Sequence, residues 1–282
     1  LAFRKALMSV FPSPVPPSAI ITRLRAAGCV FAEDEAALLM STARTPDELT
    51  TMVDQRVAGL PLEHVLGWAE FCGLRIAVDP EVFVPRRRTE FLIDQAEAAA
   101  LSGPSPTVIL DLCCGTGAMG AALAATLSKE AAPDEKGVEL HAADLHPAAV
   151  RCARRNLTPI GGQVYEGDLY EPLPATLRSR VDILIASPPY VPTEAIRLLP
   201  SEARVHEPLV ALDGGADGLD VVRRVIAEAP AWLAPGGHLL VETSERQASR
   251  TAEDMAAAGL IPRVTASEDR YATVVMGTRP IE

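Results

Sequence analysis

The sequence predicts an α/β fold: a doubly wound, mostly parallel seven-stranded sheet, preceded by a small N-terminal helical domain and a β-hairpin linker. Three observations predict it. From Thr89 onward, short apolar β-forming runs alternate with segments of helical spacing, the pattern of a parallel sheet with helices on both faces. Residues 18–59 carry helical periodicity alone, while 60–88 mix glycine, proline and β-formers. Hydrophobic residues make up 48% and charged residues 22% of the 282 positions, the composition of a packed chain rather than a disordered one.

Residues 1–17 read as a lead-in, because the Phe-Pro-Ser-Pro-Val-Pro-Pro run at 11–17 cannot sustain a helix or a central strand. Ser18 is expected to cap a first helix reaching Ala27. Glu33–Ser41 carries an apolar stripe at Ala36, Leu39 and Met40; Pro46–Ala58 carries another at Leu49, Met52, Val53 and Val57. No polar cluster in this module (18–59) asks for a catalytic role. Val65–Gly67 and Leu74–Pro80 suggest the paired short strands of the linker (60–88). The main domain (89–282) should open with a helix at Thr89–Leu101. Strands are expected at Val108–Leu112, Glu139–Asp144, Gln163–Glu166, Val181–Ala186 and His238–Glu242. Helices are expected at Gly117–Ser128, Pro147–Asn156, Leu219–Leu233 and Gln247–Ala258, with proline at the first turn of the second of these. Pro262–Ala266 and Tyr271–Gly277 lie close enough in the chain to pair as an antiparallel edge.

Charge and composition exclude several classes. Lys plus Arg is 26 against 37 for Asp plus Glu, a net charge of −11, and aromatics are only 4%. That balance argues against a nucleic-acid partner, which needs basic groups for phosphates and flat rings for bases. No apolar run approaches the roughly 20 residues of a membrane span. The five cysteines show neither zinc nor C-x-x-C spacing, and no secretory leader is evident, so a cytoplasmic protein with reduced thiols is expected. His64, His141, His146, His206 and His238 are scattered without metal-ligand spacing, so no metal is expected. No nucleophile elbow or P-loop is present.

Four motifs fall at the carboxyl ends of expected strands. Asp111-Leu112-Cys113-Cys114-Gly115-Thr116-Gly117-Ala118-Met119-Gly120 runs from a buried strand through a glycine turn into a helix, whose first N–H groups are free for a ligand. Gly115, Gly117 and Gly120 formally match a dinucleotide fingerprint. Asp111 before them would oppose a pyrophosphate but suits a cationic ligand with an amino group and a sulfonium, S-adenosylmethionine. Asp144, followed by Leu145, can accept hydrogen bonds from both ribose hydroxyls of either kind of nucleotide cofactor. Asp168 can accept from an adenine amino group, with the Leu169 N–H donating. Ser187-Pro188-Pro189-Tyr190 follows the fourth strand of the main sheet; its prolines fix an extended backbone, the Pro188 carbonyl can accept from a substrate N–H, and Tyr190 supplies a flat wall.

In this order, the motifs resemble those of class I S-adenosylmethionine-dependent methyltransferases, which are Rossmann-like. More narrowly, the chain resembles the HemK/PrmC family of protein glutamine methyltransferases. The resemblance runs from about residue 56 to the end. It includes Gly59-Leu60-Pro61-Leu62-Glu63-His64-Val65-Leu66-Gly67, Glu70-Phe71-Cys72-Gly73, Val84-Pro85-Arg86-Arg87-Arg88-Thr89-Glu90, and the late stretch from His206-Glu207-Pro208 through Ala211-Leu212-Asp213-Gly214-Gly215-Ala216-Asp217-Gly218-Leu219.

The resemblance implies methyl transfer from S-adenosylmethionine to the side-chain amide nitrogen of the glutamine in the Gly-Gly-Gln loop of peptide-chain release factors. It also implies that the helical N-terminal domain helps recognise that protein partner. The cofactor would be held by Asp111, Cys113, Gly115, Gly117, Asp144, Leu145, Asp168, Leu169 and Ser187. The reaction would be carried by Ser187, Pro188, Pro189 and Tyr190. Three departures stand out: Ser187 replaces the family's asparagine, Cys113 replaces the first glycine of the turn, and the helical module is short. A methyltransferase on another amine, amide or hydroxyl, including small molecules or the adenine amine, stays open at this point. So does a non-catalytic cofactor-binding regulator.

Overall fold

The computed structural model describes residues 16–100, 107–130 and 137–281. The lead-in is expected over residues of which 1–15 lie outside this set. The N-terminal module is α1 (Pro17–Ala26), α2 (Ala32–Thr42), α3 (Pro46–Val57) and α4 (Leu62–Leu66). Ser18 is not the cap of α1: the cap position falls two residues earlier, at Pro16, with Pro17 opening the first turn. Proline's fixed φ and missing N–H suit that place. Thr45 caps α3 by accepting from the Glu48 N–H at 3.1 Å. Ile20, Leu24, Ala36, Leu39, Leu49, Met52 and Val53 form a core private to the module, against which Leu62, Val65 and Leu66 also pack.

The linker differs from expectation in two ways. Val65 and Leu66 belong to α4 rather than to a strand, and α4 ends on Gly67 in the left-handed region, φ 75°. The hairpin is β1 (Trp68–Phe71) with β2 (Leu74–Ala77), antiparallel. It is not a tether. Phe71 and Ile76 are buried in the same core as the helices of the main domain, and Val82 packs on Ala148, Ala149 and Cys152. Asn156 ties the Ala77 N–H and C=O to the Thr116 carbonyl at 2.8–3.0 Å, bolting the hairpin to the glycine turn. The boundary expected at 88/89 also cuts a short 3-10 turn, Arg87–Thr89, that leads into α5 (Glu90–Ala100).

The main domain continues as β3 (Thr107–Leu112), α6 (Ala118–Glu130), β4 (Val138–Asp144), α7 (Pro147–Leu157), β5 (Gln163–Glu166), β6 (Val181–Ala186), α8 (Ser201–His206), α9 (Asp220–Trp232), β7 (Leu233–Thr243), α10 (Glu245–Ala257), β8 (Ile261–Ser267) and β9 (Ala272–Thr278). The sheet order is β5-β4-β3-β6-β7-β9-β8, with β9 antiparallel to both neighbours. All seven expected strands are present. The one most underestimated is β7, which begins at Leu233 because its pairing with β6 and β9 carries the chain through Pro235-Gly236-Gly237, locally a turn signal. Side chains alternate across the sheet. Leu110, Leu112, Leu184, Leu239 and Val241 face α9 and α10, while Ile109, Ile183, Ile185 and Leu240 face α5, α6 and α7. The strand order reverses between β3 and β6, and a ligand crevice is expected outside the carboxyl ends at that point.

Candidate active site

A cleft opens at that switch point. Its walls include Cys113, Gly115, Asp144, Leu145, Asp168, Leu169, Ser187, Pro188, Pro189 and Tyr190, so four chain-distant motifs meet in one cavity. Two residues expected to contact the cofactor do not line it. Asp111 shares the sheet face of Ile109, and its fully buried carboxylate points at the first turn of α6, where Oδ2 accepts from the Gly120 N–H at 2.8 Å. Gly117 packs on α7: a Cβ there would stand 2.9 Å from Leu157.

The glycine turn is shaped for a ligand. Gly115 has φ 54°, and nothing lies within 4 Å of where its Cβ would project. Cys113 holds φ 55°, a left-handed conformation that glycine adopts more easily, which accounts for the glycine expected there by resemblance. Asp144 at the end of β4 accepts from the Gly115 N–H through one oxygen and the His146 N–H through the other, each at 2.8 Å. Each oxygen keeps a lone pair for a ribose hydroxyl. Burial pushes its pKa up, while the two backbone N–H groups act in the opposite sense. Asp168 is paired with Arg224 at 2.7 Å on the cleft rim, a contact sequence reasoning missed. Arg224 is exposed and Asp168 partly so, which makes the pair weak and leaves the carboxylate able to accept another donor. An open glycine cradle, a strand-end carboxylate and a rim carboxylate fit the donor groups of S-adenosylmethionine.

Asp111 makes a pH signature. Burial pushes its carboxyl up to about 7, against the Gly120 hydrogen bond, and its Oδ1 has no partner among the described residues. The folded protein therefore holds this proton in the range where the unfolded chain, with an ordinary carboxyl near 3.8, has released it. The contribution to stability is complete below the ordinary value and is lost as pH rises through about 7. Thermal unfolding of the cofactor-free protein from pH 5 to 8 should show that fall. Asp111→Asn, which mimics the protonated acid, should flatten it; identical slopes in both proteins would reject the assignment.

The acceptor side is built by contacts across long stretches of chain. Among the described residues no hydrogen bond reaches the Pro188 carbonyl or the Ser187 hydroxyl, so both are available in the cleft. The late stretch named in the resemblance acts as a backbone buttress. Gly214 and Gly218 press on the Pro189 and Tyr190 carbonyls so closely that a Cβ would come within 2.7 and 2.3 Å of those oxygens. Gln247 of α10 donates to the Tyr190 carbonyl and the Asp217 carbonyl, both at 3.0 Å, while its own carbonyl caps α10 through Ser244. Glu207, buried, accepts from a single Arg86 nitrogen through both carboxylate oxygens, each at 2.6 Å, and from the Val84 N–H at 3.1 Å. The residues that follow Glu207, among them Pro208, Val210 and Ala211, line the cleft. Phe71 and Thr89, which lie in stretches of resemblance but were given no site role from the sequence, also line the cleft. Among the described residues there is no His, Cys, Asp and Glu cluster able to hold a metal and no helix long and apolar enough to cross a membrane.

Residues 75–207 match a family model described as methyltransferase small domain. A release factor glutamine methyltransferase of Geobacter sulfurreducens is 35% identical over 239 residues, covering 83% of this chain and 79% of the relative. One from Mycolicibacterium smegmatis is 38% identical, covering 77% and 74%. Among solved structures, a methyltransferase from Pyrococcus furiosus superposes with a TM-score of 0.52 at 16% identity, over 74% of this chain and 90% of that one, a likeness of fold.

Proposed function

The chain belongs to the release factor glutamine methyltransferase family, and from that premise we propose that it methylates the side-chain amide nitrogen of a glutamine in a peptide-chain release factor, in its Gly-Gly-Gln loop. S-adenosylmethionine is the cofactor and supplies an electrophilic methyl group on a sulfonium. The observation that carries the reading is the Pro188 carbonyl, unpaired among the described residues and set beside Ser187 in the same cleft as Gly115 and Asp144. Neither a small-molecule acceptor nor a non-catalytic role is favoured by the relatives.

An amide nitrogen is a poor nucleophile because its lone pair is delocalised. The chain's task is to hold it in line and to accept its N–H groups as positive charge develops. The Pro188 carbonyl is the acceptor best placed for one N–H. Ser187 offers a hydroxyl on a short arm for a second contact. The prolines keep both groups rigid, and Tyr190, Pro208 and Val210 line the same cleft. Residues Gly115, Asp144, Leu145, Asp168 and Leu169 form the cofactor side, while Asp111 and Gly117 support the turn from behind.

Ser187 is the point of test. Ser187→Asn restores an amide with donor and acceptor, and the contact regained is worth about 1–3 kcal/mol. Turnover on release factor should rise roughly tenfold or more, with S-adenosylhomocysteine affinity unchanged. The assay compares both enzymes on release factor carrying Gln or Ala in the loop, read by mass spectrometry. Methylation that persists on the Ala version, or appears on neither, ends the glutamine reading.

A further inference from the structure

We propose that Glu242 and Arg88 are positioning residues, which hold the Tyr190 ring in place as the acceptor-side wall by anchoring its phenol. The proposal rests on the reading of Tyr190 given above. Glu242 sits at the carboxyl end of β7, beside the end of β6 from which Ser187 emerges. Its side chain is buried, and Oε2 has no partner among the described residues. A carboxylate in such a place costs desolvation that an apolar residue would avoid. Its Oε1 accepts from Arg88 Nε at 2.9 Å and from the Tyr190 hydroxyl at 3.4 Å. A second Arg88 nitrogen donates to the same hydroxyl, and the guanidinium carbon lies 5.8 Å from the Tyr190 ring centroid.

Two consequences follow from this geometry. The phenol donates to a carboxylate and accepts from a guanidinium, so it is occupied in both directions and is an anchor rather than a reactant. Burial, reinforced by the Glu242 charge, pushes it up to about 12, so it stays protonated through the working range. With Gln247 holding the backbone carbonyl and Glu242 with Arg88 holding the hydroxyl, the ring is fixed at both ends before any acceptor arrives. Arg88 enters from the segment before α5 and Glu242 from β7, so the anchor ties the linker to the sheet at the acceptor site.

The test is a double-variant cycle on the full chain with release factor as acceptor. Glu242→Ala and Tyr190→Phe should each lower kcat about tenfold. The KM for release factor and the affinity for S-adenosylhomocysteine should stay within about twofold. The double variant should be no slower than Tyr190→Phe alone, because both remove one anchor. Glu242→Gln, which keeps an acceptor oxygen, should recover most of the loss. Arg88 is half-exposed, so Arg88→Met tests the same anchor from the surface without opening the core, and should also cost severalfold in kcat. Native kcat in Glu242→Ala and Arg88→Met, or losses that multiply in the double variant, would overturn the proposal. Tyr190→Ala separates the two readings. If it is impaired while the Glu242 and Arg88 variants are native, only the anchor is wrong. If it too turns over like the native enzyme, Tyr190 is no wall and both readings fall.

Discussion

Gly218→Ala is expected to destroy most methyl transfer and to destabilise the fold, although residue 218 touches neither cofactor nor acceptor. Its φ is 79°, and a Cβ would stand 2.3 Å from the Tyr190 carbonyl oxygen and 2.5 Å from Gln247 Nε2. A side chain can swing away from such a contact, but a backbone carbonyl that follows two prolines and accepts from Gln247 cannot. Overpacking of this kind costs about 1–3 kcal/mol, and the left-handed backbone adds about 1–3 more. The thermal midpoint should fall by roughly 5–15 °C. Displacing the Pro188–Tyr190 backbone even by a few tenths of an ångström misaligns the acceptor carbonyl, so turnover of the folded fraction should drop on the order of a hundredfold. Binding of S-adenosylhomocysteine to that fraction is the control and should hold, since Gly115 and Asp144 lie on the other strands. A variant with native melting and native turnover would show that the late stretch is no buttress.

Asp144→Ala should have the second large effect, and on the opposite half of the cleft. The carboxylate, proposed to accept from the ribose hydroxyls, lines the cleft and already fixes the Gly115 and His146 N–H groups. Removing it leaves buried polar groups on both the ligand and the turn unpaired, a loss of about 2–4 kcal/mol in cofactor affinity. Calorimetry with S-adenosylhomocysteine should therefore read a loss of roughly thirty- to a thousandfold. Asp168→Ala should cost far less, because its partner Arg224 and the surrounding water compete for it. Equal losses at the two positions, or none at Asp144, would reject the ribose assignment.

The order of strands and helices was legible because each buried strand of a parallel sheet is a short apolar run and each covering helix an amphipathic one, signals contained within a few neighbouring residues. The walls of the cleft were legible for a related reason. In such a sheet the crevice lies at the strand carboxyl ends, so Cys113, Asp144, Asp168 and Ser187 could be placed from where their strands stop. Strand-end logic could also have found Glu242, the last residue of the strand expected at His238–Glu242 and one residue short of the end of β7.

By itself, then, the sequence determined the class of fold, the four motifs at the switch point and, through its resemblance, the family. The tertiary structure alone decided which of those residues line the cleft. Asp111 reads as a cofactor contact in the chain, but the two-residue alternation of β3 turns it onto the α6 face. Residues 60–88 read as a linker, yet Phe71 and Ile76 are core, because burial depends on what a segment packs against and not on its own composition. The Arg86–Glu207 and Arg88–Glu242 pairs and the fit of Gly218 on Tyr190 join residues far apart in the chain. No local period encodes such contacts; they exist only once the sheet brings the ends of its strands together.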